Sequence, residues 1–466
     1  MNFLVKKTFF LFLISLTIMA LGQSALTVKC TVRGFKGSKV YLSAINGGKA
    51  NGVDSAKVIQ GKFSFNPSKQ MEIGMYRISF NDSVYTDIII NGEEVVLDFD
   101  YNNIILSMKV LNSDENKVFY SYLQYSIQKD IDSEPAMELG KRLYKEGVAK
   151  NKKQLDSLKT ILDSLNVKQQ IFTNNLIKDN QKLFASRIIK TLQLPSYTYY
   201  KAHADTIKYK SENAFLRDHF FDNIDFNDTL LLRTAYIYQA CSDYLTSYAK
   251  PQNNETYTKA CDIILSKAKV NKTSYDYVLN LLIQTFESSD WEMVFVYLTE
   301  KYYLENACTS DQNTKSIAEK AEAIKKLAIG KQAPELNLQD LAGAKINLYD
   351  LKKEYTLILF WASFCTHCEE LLPQLKPQIK NYITSGKLSV YAVAMDLDKT
   401  SWQKATQKLS NQWIHVSDLE GFSGATALSY NVWRTPSFYI LDKDKKIIAR
   451  PYSGPQVITK LKELIK

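Results

Sequence analysis

The stretch YTLILFWASFCTHCEELLPQLKPQIKNYI, residues 355–383, decides the fold of the C-terminal part of this chain. Its first eight residues, YTLILFWA, are an unbroken apolar run rich in aromatics, the composition of a central strand covered on both faces. Cys365-Thr366-His367-Cys368 follows almost at once. EELLPQLKPQIKNYI then sets Leu371, Leu375 and Ile379 four apart, a helical spacing that persists through Pro373 and Pro377. A Cys-x-x-Cys pair between a strand and a helix reads as a redox motif. Its rivals are half of a metal site and two small apolar core residues. A metal would need two more ligands at compatible spacing, and the sequence holds no second CxxC or CxxH.

The chemistry expected of the pair follows from its place. Cys365 falls at the start of the helix, where unpaired backbone N–H groups and the helix dipole favour an anion. The thiolate is the attacking species, so a lowered pKa makes Cys365 the candidate nucleophile. Cys368, one turn on, is within reach of its sulfur and can resolve a mixed disulfide. His367 offers positive charge beside the thiolate.

Downstream, KLSVYAVAMD and WIHVSD read as strands around a helix-like SWQKATQKLS. RTPSFYILDKDKKIIAR reads as two strands joined by the charged Asp442–Lys445 turn, with Thr435-Pro436 opening the first. FWASFCTHC, this Thr-Pro and the D-K-D-K turn together resemble a thioredoxin fold. The extra helix and strand before the Thr-Pro resemble the exported TlpA/ResA-type thiol–disulfide oxidoreductases. AIGKQAPELNLQDLAGAKINLYDL is similar to the lead-in these proteins share with peroxiredoxins. The resemblance implies a cis Pro436 beside the CxxC, with the Thr435 backbone free to pair with a substrate strand. It implies a substrate-contacting or tuning group of Trp361, Phe364, His367, Thr435 and Pro436 around Cys365 and Cys368.

Two positions depart from thioredoxins. Phe364 stands where they usually carry Trp before the first Cys, and Leu359 where they keep a buried Asp. The acceptor of the resolving thiol's proton is therefore open; Glu369 and Glu370 are candidates by proximity, and both also suit an ordinary first helical turn. Thr-His between the cysteines resembles the Gly-His or Pro-His of oxidising and isomerising relatives more than the Gly-Pro of thioredoxin.

The rest of the 466 residues is too long for one core, and two or three domains are expected. Residues 1–22 read as a secretory signal peptide: Lys6 and Lys7, an uncharged TFFLFLISLTIMAL, then Ala20-Leu21-Gly22. An uncleaved anchor is the alternative. Residues 23–108 alternate as short strands, with Phe63 and Phe65 on one face, Tyr76 and Ile78 on another, and Asn91-Gly92 as a hairpin signal. A β-sandwich-like antiparallel domain, or an open barrel, is expected there. Residues 109–328 turn helical, as in the Leu155, Leu158, Ile161, Leu162, Leu165 series, with a break at Pro195. Gly330 and Pro334 mark the boundary to a thioredoxin-like domain at 329–466. The fold class is multidomain α/β: antiparallel β domain, α-helical middle domain, C-terminal thioredoxin fold. The β-then-α order, with VDSAKVIQGKFSF, resembles exported thioredoxin-like proteins of the Bacteroidota and implies no activity by itself.

Formal charge is +10, spread among interleaved acids, which suits a solvated surface rather than a nucleic-acid footprint. His203 and His219, sixteen apart, lack a second ligand pair. Cys30, Cys241, Cys261 and Cys308 could be bridged or free. The function expected is exported, periplasmic thiol–disulfide exchange with protein clients, with membrane association left open. It needs no cofactor, and a membrane or soluble thiol partner would recycle the pair. The alternatives are a peroxiredoxin-like thiol peroxidase, although Ala362-Ser363-Phe364 lacks that family's Pro and Thr, and a partner-binding protein with an accessory redox domain.

Overall fold

In the computed structural model, residues 27–67, 71–204, 208–287, 289–306 and 312–465 are described; the expected signal peptide and Cys308 lie outside them. The chain divides into two units, residues 1–240 and 241–466.

The first unit opens with eight strands: β1 Val28–Arg33, β2 Lys39–Asn46, β3 Lys49–Lys57, β4 Lys62–Phe65, β5 Gly74–Ser79, β6 Tyr85–Ile90, β7 Val95–Asp100 and β8 Lys109–Asn112. They form two four-stranded sheets, ordered β4-β1-β7-β8 and β3-β2-β5-β6. Pairing is antiparallel except between β1 and β7. Alternation works as read: Phe63 and Phe65 are buried between exposed Lys62 and Ser64. Across β5 and β6, Arg77 faces Asp87 in register and grips its carboxylate with two bonds of 2.7 and 2.9 Å.

The hairpin expectation at Asn91-Gly92 is corrected. The flanking strands β6 and β7 do not pair; they lie in different sheets, so the turn carries the chain from one sheet to the other. Gly92 does take the positive φ that such turns need, at 99°. Asn91, though, spends its side chain on the Glu93 N–H and on Glu115 rather than on closing a ladder. Turn chemistry set the turn, and the partners of β7 were set elsewhere.

Beyond β8 the chain is helical, led by the long helices Asp114–Glu146 and Lys152–Asp179. Leu155, Leu158, Leu162 and Leu165 make a half-buried stripe on the second, and Ile161 falls outside it. Tyr125 stacks on Phe172, with ring centroids 4.1 Å apart, to join the two. His203 bonds to the Tyr199 carbonyl and His219 to Asp222.

The second unit contains the helices Asn254–Ala268, Lys272–Glu287, Glu292–Leu298 and Gln312–Lys326, then the C-terminal sheet. Its strands are β9 Asn337–Asp340, β10 Lys345–Asn347, β11 Tyr355–Trp361, β12 Leu388–Ala394, β13 Ile414–Ser417, β14 Ser437–Leu441 and β15 Ile447–Ala449. The order is β10-β9-β13-β12-β11-β14-β15, with β11 parallel to β12 and antiparallel to β14. This is the thioredoxin-like sheet that the strand–CxxC–helix stretch anticipates.

Period-two geometry sends the side chains of β11 to opposite faces. Leu357, Leu359 and Trp361 meet Leu372, Leu375 and Ile379 of the helix Thr366–Thr384, and Val457 and Leu461 of the helix Gly454–Leu464. Ile358, Phe360 and Ala362 meet Leu336, Leu348, Tyr430 and Tyr439 on the other face. Leu372, not Leu371, takes the buried place near the start of the helix Thr366–Thr384. Pro373 and Pro377 lie on its exposed face.

His415, on β13, makes the stability of this sheet pH-dependent. Its Nε2 lies 2.8 Å from the Ser410 carbonyl, so that nitrogen carries the proton, and Nδ1 is buried without a partner among the described residues. Burial holds the imidazole below its ordinary value of 6.5. The unfolded chain therefore takes up a proton near that value which the folded chain refuses until lower pH. Stability from this group is full above it and is lost as pH falls through the depressed value. Urea midpoints are expected to fall below about pH 6.5 with a slope that His415→Gln removes. Equal slopes in the two chains would exclude His415 as the cause.

Candidate active site

The site grows from the end of β11. The run Ala362-Ser363-Phe364 leaves the strand, and Cys365 becomes the N-cap of the helix Thr366–Thr384. Its extended backbone, φ −88° and ψ 107°, is the ordinary conformation of a cap. The Cys368 N–H points at the Cys365 sulfur across 3.1 Å, so the sulfur occupies the position where a capping oxygen would sit. The two cysteines are bridged, with Cα atoms 5.2 Å apart.

Their exposure differs. Cys365 is partly exposed, whereas Cys368 is buried at 2% and packs with Leu359, Trp361 and Leu372. Of the two residues, Cys365 is the more accessible to an incoming group. Opposite it, the Thr435–Pro436 peptide is cis, and the Thr435 carbonyl oxygen lies 3.3 Å from the Cys365 sulfur. Residues seventy apart in sequence thus meet at one atom.

The other residues named from sequence separate into two places. Phe364 is 64% exposed beside Cys365. His367 is exposed and lines a groove of about 410 Å³ with Glu370, Thr435 and Pro436. Trp361 is buried and lines a separate cavity of about 60 Å³ together with both Cys365 and Cys368. Its indole N–H has no partner among the described residues. Glu369 lines the same small cavity, and its carboxylate is 3.0 Å from the Lys408 ammonium, which also lines it. The two acids left open by the sequence therefore face different cavities.

One residue was missed. Asp396, just past the end of β12, is buried at 2% and accepts the Ser363 N–H at 3.1 Å and the Ser363 hydroxyl. It pins the strand-to-helix loop that carries Cys365. The signal was available: an acid closing the apolar run KLSVYAVAMD, at the carboxyl end of a strand parallel to β11.

The remaining described cysteines differ in kind. Cys30, Cys241 and Cys261 are free and buried, and burial alone or above all pushes their thiols up, Cys241 to about 12. Such thiols carry almost no thiolate near neutral pH. Among the described residues no group of acids, histidines and cysteines could hold a metal, and no helix is long and apolar enough to cross a membrane.

The AhpC/TSA family matches residues 329–450. Two families described as domains of unknown function, DUF4369 and DUF5106, match residues 26–119 and 205–322. The thiol-disulfide oxidoreductase ResA of Bacillus thuringiensis subsp. konkukian is 31% identical over 144 residues, which span 30% of this chain and 79% of that protein. The thioredoxin-like protein YneN of Bacillus subtilis is 32% identical over 114 residues, 24% of this chain and 65% of that protein. Among solved structures, a thioredoxin-like protein from Bacteroides caccae is 22% identical, covering 59% of this chain and 98% of that one, with a TM-score of 0.48.

Proposed function

The chain belongs to the TlpA/ResA-like thiol–disulfide oxidoreductases, and from that premise we propose that it exchanges disulfides with exported protein clients through Cys365 and Cys368. The observation that carries this reading is the asymmetry of the pair: a partly exposed sulfur at a helix N-terminus, receiving a backbone N–H, backed by a buried one.

In the reduced enzyme the Cys365 thiolate attacks one sulfur of a client disulfide, and the client's other sulfur leaves as a thiolate. Cys368 then loses its proton and attacks the Cys365 sulfur of the mixed disulfide. The client departs with both sulfurs reduced, and the enzyme keeps the disulfide. Run in reverse, the pair oxidises a client dithiol. Glu369, at the cavity that also holds Cys368, is the better placed of the two acids to take the resolving thiol's proton. His367, Phe364, Thr435 and Pro436 are the surface a client meets. A membrane or soluble thiol partner on the exported, periplasmic side resets the pair; no nucleic acid is involved. The two β sheets through β8, the helices that follow it and residues 329–466 serve as β, helical and redox domains. The peroxidase alternative is not favoured, since curated relatives are named for disulfide exchange.

Stabilising the Cys365 thiolate stabilises the reduced enzyme, and so makes it the better oxidant. The reduction potential is expected above the thioredoxin level, between about −250 and −120 mV. Titration against glutathione buffers measures it, and a value near −270 mV or below would reject this account of the thiolate. Insulin reduction set against peroxide consumption tests the activity itself.

A further inference from the structure

A second cavity, of about 550 Å³, lies beside the cis-proline loop within the second unit. Its size is in the range of ligand sites. One wall is the redox fold, through Trp433, Arg434 and Pro436; the other is the helical segment, through Gln252, Asn254 and Ser289–Met293. Arg434, Pro436 and Tyr452 line both this cavity and the groove that holds His367 and Thr435. The two concavities are therefore neighbours, with Arg434, Pro436 and Tyr452 as their common border.

Charge and exposure say what fits. The four charged side chains that line the cavity are already matched: Arg434 with Asp290, and Arg450 with Glu292 at 2.5 Å. A charged guest would be desolvated with no unmatched partner among them. Apolar surface, in contrast, is on offer: Met293, Ile329, Trp433 and Tyr452 are all partly or largely exposed there, next to Trp291. Ligand pockets combine such apolar lining with a few polar groups that orient the guest, here Gln252, Asn254 and Gln456.

We propose that this cavity selects clients: it takes an aromatic or other bulky apolar side chain of the client polypeptide, near its reactive cysteine, while that cysteine reaches Cys365 across Thr435–Pro436. The proposal rests on the disulfide-exchange reading and gives the helical segment a role in it.

The test uses the full chain carrying Cys368→Ser and three probes, each a cysteine held as a mixed disulfide with thionitrobenzoate. Two are short peptides, identical except that phenylalanines flank the cysteine in one and serines in the other; the third is N-acetylcysteine. Attack by Cys365 on the probe's cysteine sulfur forms the mixed disulfide and releases coloured thionitrobenzoate. The phenylalanine peptide is expected to react about tenfold faster than the serine peptide, or more. Trp291→Ala should bring that ratio close to one, and Trp291→Phe should restore much of it. Ile329→Glu, at a position 68% exposed and so safe for folding, should lower the same ratio. Equal rates for the two peptides would overturn the proposal, as would a Trp291→Ala chain that slows all three probes in proportion. Failure of N-acetylcysteine to react at all would instead overturn the exchange reading, and this proposal with it.

Discussion

A Cys368→Ser chain is expected to stop turning over, losing about a thousandfold or more in insulin reduction, while still capturing clients on Cys365. The expectation follows from where the two sulfurs sit. Cys365 is the one an incoming disulfide can reach, and it keeps the helix N-terminus and the residue 368 N–H after the substitution. Only the second attack is lost. Covalent complexes should then accumulate, visible on non-reducing gels and dissolved by dithiothreitol. Cys365→Ser should lose both turnover and capture. If Cys365→Ser captured clients through Cys368 instead, the assignment of roles would be reversed.

Asp396→Ala is expected to produce the second-largest effect, on stability and rate together. The buried Asp396 carboxyl accepts the N–H and the hydroxyl of the partly exposed Ser363. Removing it loses both bonds, at a cost of about 1–3 kcal/mol. The loop it holds lies two residues before Cys365, so the nucleophile also loses its fixed position. Asp396→Asn keeps one acceptor oxygen and should recover part of the stability. Urea unfolding supplies the first measurement, and thionitrobenzoate release in the Cys368→Ser background supplies the second. A fully stable Asp396→Ala chain with unchanged release would show that Ser363 finds another acceptor.

Sequence reading was most reliable where the pattern was local and strong. The apolar run of β11 requires cover on both faces, and the structure supplies a separate cluster for each. The cis geometry at Thr435–Pro436 came from the resemblance, since nothing in the residues alone fixes an isomer. What stayed hidden depends on distant partners. Asn91-Gly92 signalled a turn truly, but a turn does not name the strands that flank it as a pair; β1 and β8 took the places beside β7. Asp396 looked like the end of a strand until its bonds to Ser363, thirty-three residues earlier, were visible. Glu369 and Glu370 are neighbours in sequence, and only the rotation of the helix assigns them to different cavities. Arg434 and Asp290 are farther apart still, and no spacing rule links them.

The burial of Cys368 has one more consequence. With a single sulfur open to the outside, the enzyme has one door for two visitors. Under the proposed exchange, in either direction, the client and the thiol partner that resets the pair would both be received at Cys365, so neither could be present while the other is. Catalysis then alternates, in ping-pong order, and the two partners compete for the same few side chains. Whatever distinguishes a client from a donor must then be read at that shared threshold, where Phe364 and His367 stand exposed.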